Sequence, residues 1–157
     1  MIKLDDKLFL MKKLLFILIW IPVFYTVQAQ EIGMRLGDMS GNNVAIDGLI
    51  EMEAARVHAD VSFGNGVGIV VVYDFIYRPI VELPDFYYYL GAGITTLLVS
   101  DYELGAVGEA GIEYRFPKSP LTISLDYRPA IIVLEKSDFH WNGFGLNLRY
   151  VIGDVSF

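Results

Sequence analysis

From Ile32 onward the chain alternates between apolar and polar positions. Val67, Ile69, Val71, Tyr73, Phe75 and Tyr77 interleave with Gly68, Val70, Val72, Asp74 and Ile76. Leu121, Ile123, Leu125 and Tyr127 interleave with Thr122, Ser124, Asp126 and Arg128, and Phe144, Leu146, Leu148 and Tyr150 with Gly145, Asn147 and Arg149. A period of two is the mark of a strand, whose successive side chains point to opposite faces. The pattern predicts eight strands, near 31–37, 43–53, 56–64, 66–77, 86–99, 102–116, 121–134 and 143–152. Gly, Pro, Asn and Asp clusters separate them, and the connections have hairpin lengths, which predicts an antiparallel up-and-down meander. None of the connections is long enough for a parallel crossover. Pro129, after Arg128, predicts an irregularity within the seventh strand.

The two faces differ in kind. The apolar one carries large aromatics at Phe63, Tyr73, Phe75, Tyr77, Tyr88, Tyr114, Phe116, Tyr127, Phe144 and Tyr150. The polar one mixes glycines with Arg35, Arg115, Arg128 and Arg149 and with Asp47, Glu51, Asp60, Asp74, Glu109, Glu113 and Asp126. Small residues beside long charged ones suit the narrow interior of an eight-stranded barrel, and bulky apolar residues suit lipid. The charged set is therefore expected to form an ion-paired network that plugs the lumen. The aromatics are expected to face lipid, with Tyr77, Phe86, Tyr88 and Phe116 near the periplasmic rim. The predicted fold is all-β: an eight-stranded antiparallel up-and-down transmembrane β-barrel.

Composition adds a compartment. Met11-Lys12-Lys13 followed by an apolar run from Leu14 to Val27 and by Gln28-Ala29 has the form of a secretory signal peptide. Residues 1–29 are expected to be this leader, with Met11 an alternative start, and residues 30–157 the barrel domain. Removing the leader's four bases and two acids leaves eight bases and seventeen acids, a net charge near −9. Such an acidic chain argues against nucleic acid as a partner. The absence of cysteine excludes a disulfide scaffold and any thiolate metal site.

The segments FYYYLGAGITT, GAVGEAGIEYRFPKSPLTISLDYRPAIIVL and FGLNLRY resemble the small outer-membrane β-barrel proteins of Bacteroidetes-type bacteria, which are OmpX-like. The resemblance spans residues 86–152 well and 31–80 loosely. It implies a monomer in the outer membrane of a Gram-negative cell, with lipid, periplasmic chaperones and the insertion machinery as partners. That machinery reads a terminal aromatic; Phe157 is terminal here, but Gly153-Asp154 breaks its parity with Tyr150.

Candidate chemistry is thin. His58, Asp60 and Ser62 share a face, but same-face neighbours on one strand stand about 6–7 Å apart, too far for a direct relay. Glu109 with Glu113 as an acid–base pair, and Arg115 with Arg128 as an anion clamp, compete with a purely structural ion network. Asp138 and His140 lack a third metal ligand nearby. The glycines of GNGVG and GAGITT precede no helix and no lysine, so phosphate binding is unsupported. The expectation is a structural or envelope-associated barrel with no catalysis, no cofactor and no metal. The alternatives are a soluble periplasmic barrel holding a small apolar ligand with its aromatic face inward, and an outer-membrane enzyme that modifies lipid.

Overall fold

The computed structural model describes residues 29–39, 42–52, 55–98, 103–134 and 137–152. Residues 1–28 of the predicted leader, residues 40–41, 53–54, 99–102 and 135–136 between strands, and the terminal Phe157 lie outside them; Ala29, the last residue of the predicted leader, opens β1. Ten strands follow one another: β1 (Ala29–Met39), β2 (Asn42–Met52), β3 (Ala55–Phe63), β4 (Val67–Pro79), β5 (Phe86–Leu98), β6 (Glu103–Arg115), β7 (Leu121–Tyr127), β8 (Ala130–Ile132), β9 (Asp138–His140) and β10 (Phe144–Ile152). Among the described residues there is no helix.

Neighbours in sequence pair antiparallel from β1 to β7, β7 pairs with β10, and β10 returns to β1. The sheet therefore closes into a barrel. Its staves number eight, because β7 with β8 and β9 with β10 are two interrupted staves of one hairpin. The first interruption falls at Arg128-Pro129, as the proline predicts. Pro129 has no amide hydrogen to give, yet its carbonyl accepts from Gly108 N at 2.9 Å, and Arg128 N donates to Gly143 O at 2.8 Å. The seventh stave keeps its register with β6 across the break, while its register with the eighth stave shifts by one residue.

Closure gives every strand an inner and an outer face. Outside stand Ile94, Leu125 and Phe144, with 59%, 64% and 63% of their surface exposed; Arg35 and Arg149 inside retain 1% each. Phe63, Tyr73, Phe75, Tyr88, Phe116 and Tyr150 are exposed on the outer face. Tyr114 and Tyr127 are half-buried there against Phe86 and Phe116, and against Phe144.

Tyr77 is the exception and corrects the expectation from simple alternation. The β4–β5 register slips between Asp74 and Ile76, leaving Phe75 as an extra residue. A bulge of one residue inverts the parity of all that follows. Ile76 thereby pairs with outward Leu90, and Tyr77 pairs with buried Tyr89 and enters the lumen.

Candidate functional site

The lumen is where the chemistry-bearing side chains meet, and it is layered. Nearest the chain's N-terminal end of the barrel, Glu113 of β6 is the hub. Its Oε2 accepts from Arg56 Nη1 at 3.0 Å and from Arg149 Nη2 at 2.5 Å, and its Oε1 from Arg115 Nε at 2.9 Å and Tyr77 Oη at 3.0 Å. Arg149 also donates through Nε to Glu31 at 3.0 Å and through Nη1 to Asp47 at 2.8 Å. Arg115 reaches Glu31 at 3.1 Å and Glu51 at 3.3 Å. The Arg56 guanidinium lies 3.8 Å from the centroid of the Tyr77 ring, which itself stacks on Tyr87.

One level further along, Arg128 of the seventh stave donates through Nη1 to Asp60 at 2.5 Å and through Nε to Glu109 at 2.9 Å. His58 Nε2 stands 2.9 Å from Asp74 Oδ2, and Arg56 holds the same oxygen at 3.1 Å. Arg35 clasps Asp126, with Nη2 to Oδ1 at 2.6 Å, while Asn147 Nδ2 binds Asp126 Oδ2 at 2.6 Å. Beyond this level the lumen turns apolar, with Ala45, Val70, Val72, Val107 and Ala130 packed together. Asn42 closes that end by bonding Ser62 Oγ, Gly66 O and the amide of Asn65.

Two features of the sequence make these contacts reachable. Counted around the ring, β2 and β6 are four staves apart, as are β3 and the seventh stave, so each pair lies diametrically opposite. Arg149 bonds Asp47 of β2 and Glu113 of β6, Arg115 of β6 bonds Glu51 of β2, and Arg128 bonds Asp60 of β3. These guanidiniums are crossbars. The second feature is glycine beside each long side chain. A Cβ on Gly33 would collide with the backbone and side chain of Arg149, one on Gly145 with the Arg35 guanidinium, one on Gly111 with the Tyr89 ring and one on Gly91 with Asp74 Oδ1. The missing side chain on one stave is the space its neighbour occupies.

All eleven charged residues expected in the lumen are there, with Glu51 and Arg115 half-buried at the rim and the others fully buried. Glu31, Arg56, Tyr77 and Tyr89 belong to the same interior and were absent from that set. Glu31 shares parity with Arg35, and Arg56 with His58, so alternation reaches both; Tyr77 needs the bulge. The separate chemical candidates dissolve. Ser62 bonds Asn42, Asp60 bonds Arg128, and His58 faces Asp74, so the trio on β3 is spread over three partners. Glu109 and Glu113 serve different arginines, as do the groups around Arg115 and Arg128. Asp138 and His140 stay at the end of the barrel that Asn42 caps, 3.9 Å apart, with Asp138 exposed.

Comparison with protein-family models, with curated proteins and with solved structures finds no match for this chain. What it does is argued from its own geometry.

Proposed function

We propose that the chain is a small outer-membrane barrel that acts as a structural, envelope-associated element, its lumen closed by ion pairs and without catalytic activity. One observation carries this: the barrel is inverted relative to a water-soluble one. Leucine, isoleucine, valine and aromatic side chains form a continuous outer face, and arginines and carboxylates fill the interior. A face of that size has no counterpart on soluble monomers, whose apolar patches reach a few hundred Å². In hydrocarbon it costs nothing, and the closed sheet has no open edge, as a lipid-spanning β-structure requires. Most strands have 9–13 residues, the span a tilted transmembrane strand needs. The leader-like residues 1–29 supply the export signal this location demands.

A soluble apolar-ligand carrier requires the aromatic set inside, where this barrel holds charge. A lipid-modifying enzyme requires a reactive group that meets lipid, and the His58, Asp60 and Ser62 side chains are buried in the lumen. The test is expression of the full chain in a Gram-negative host followed by membrane fractionation. The expected result is retention in the outer membrane after carbonate washing, with a folded band that migrates differently on mild detergent gels before and after boiling. Release by carbonate without detergent overturns the proposal.

A further inference from the structure

The lumen's charges do not balance. Among the described residues, seven fully buried carboxylates (Glu31, Asp47, Asp60, Asp74, Glu109, Glu113 and Asp126) face four fully buried arginines. Glu51 and Arg115 at the rim cancel. The surplus is local: four carboxylate oxygens lack any hydrogen-bond partner, Asp47 Oδ1, Asp60 Oδ1, Asp74 Oδ1 and Glu109 Oε2. Their residues belong to the same level of the barrel, around His58. Asp47 Oδ1 lies 3.8 Å from His58 Nδ1, Asp74 Oδ2 lies 2.9 Å from Nε2, and one ligating atom each from His58, Asp74 and Glu109 fall within 4.8 Å of one another. Gly91 pairs with Asp74 on one side and Glu109 on the other, and the unpartnered Asp74 Oδ1 lies over it, where a side chain would otherwise stand. Buried unpaired carboxylate oxygens are costly and call for a positive partner.

We propose that His58, Asp74 and Glu109 form a site for one divalent transition-metal ion of the zinc class at the centre of the lumen. One imidazole with two carboxylates suits zinc; calcium and magnesium prefer all-oxygen sets with more ligands, and copper(I) prefers sulfur, which this cluster does not offer. Zinc bonds of about 2.0–2.2 Å bring any two ligands to about 4 Å or less, so small side-chain rotations of Asp74 and Glu109 close the set. His58 Nε2 gives up its proton to bulk solvent as the metal enters. The imidazolium's other proton stays on Nδ1 and is donated in a hydrogen bond to Asp47, the outer carboxylate that orients a metal-bound imidazole. The ring is held for this by stacking on Tyr89, centroids 5.8 Å apart. Two guanidiniums border the set: Arg56 Nη2 holds Asp74 Oδ2 at 3.1 Å and leaves Oδ1 to the metal, and Arg128 Nη2 stands 3.4 Å from Nδ1; Arg128 is tied to Asp60 and Glu109 through its other nitrogens, and its swing toward Asp60 frees Nδ1. This inference stands on the barrel interior and not on the location of the barrel.

The experiment uses the untagged chain, unfolded with chelator and refolded in detergent with zinc, calcium or magnesium, then desalted for metal analysis. The expected result is about one zinc per chain, no retained calcium or magnesium, and a raised urea midpoint. Asp47→Asn is expected to weaken zinc affinity about tenfold, Glu109→Gln and His58→Gln to abolish stoichiometric binding, and His140→Ala to leave it intact. X-ray absorption on the zinc-loaded wild type needs no variant: a single imidazole with oxygen neighbours supports the site. Wild type without stoichiometric zinc, an all-oxygen shell, or zinc lost in His140→Ala and kept in His58→Gln overturns it.

Discussion

Arg149 shows what one residue does in this barrel. Its three nitrogens engage Glu31, Asp47 and Glu113, which come from β1, β2 and β6. Desolvating that guanidinium is expensive, so its worth lies in the charges it leaves behind when removed rather than in its own attraction. Arg149→Leu takes from Asp47 its guanidinium partner and from Glu31 and Glu113 one of several donors, all in a water-poor interior. Loss of one partner from a buried pair costs about 3–5 kcal/mol, and the urea midpoint of the refolded barrel is expected to fall by that equivalent. Adding Glu31→Gln and Asp47→Asn to Arg149→Leu is expected to recover part of the loss, because the stranded charges go with it. A triple variant no more stable than Arg149→Leu contradicts the charge argument. The location of Arg149 was legible in the sequence from parity with Gly145 and Asn147. Its partners were not, since they follow from which staves lie opposite, and ring order appears only on closure.

At the scale of the element, glycine placement decides whether staves accept these crossbars. Gly33 of β1 pairs with both Arg149 and Asp47, so the arginine passes directly over it to its carboxylate. A methyl group there meets Leu148 O and the Arg149 backbone, atoms that cannot rotate away. Gly48 of β2 faces outward, and the atom nearest an added Cβ is Ala59 O at 3.7 Å, an ordinary contact. Gly33→Ala is expected to destabilise by about 1–3 kcal/mol, as overpacking does. Gly48→Ala is expected to be neutral or stabilising by a few tenths up to about 1 kcal/mol through the unfolded chain. Equal midpoints for the two variants in urea unfolding refute the assignment of a packing role to Gly33. The strands themselves were legible because alternation survives along most of each one, and Pro129 announced the break between β7 and β8. The bulge at Phe75 was hidden: VVVYDFIY is apolar at every position but Asp74, so no break in alternation marks it, and only the register with β5 shows that Tyr77 has changed face. His58 likewise stood beside Asp60 and Ser62 in sequence, while its actual neighbours Asp74 and Glu109 come from β4 and β6.

The whole molecule is a tube that its own contents close. Eight staves enclose an interior about wide enough for side chains, and Arg115, Arg149 and Arg128 span it at successive levels. Above them the apolar cluster around Val72 fills the section. The void beside Thr95, Arg128 and His140 measures about 20 Å³, room for about one water. An ion crossing this path must break several buried pairs in turn, without a continuous water column to replace them. Salt offers little help, because buried pairs are screened far less than exposed ones even at about 1 M, where the Debye length is about 3 Å. The purified barrel in a planar bilayer under about 1 M KCl is therefore expected to show no discrete conductance steps. Regular steps of porin size mean that the crossbars open under voltage or in lipid, and the plugged-lumen reading fails with them. A silent bilayer with protein shown to be inserted by protease protection supports a barrel whose inside serves its own stability, and leaves the outer face and the turns as the surfaces that meet the rest of the envelope.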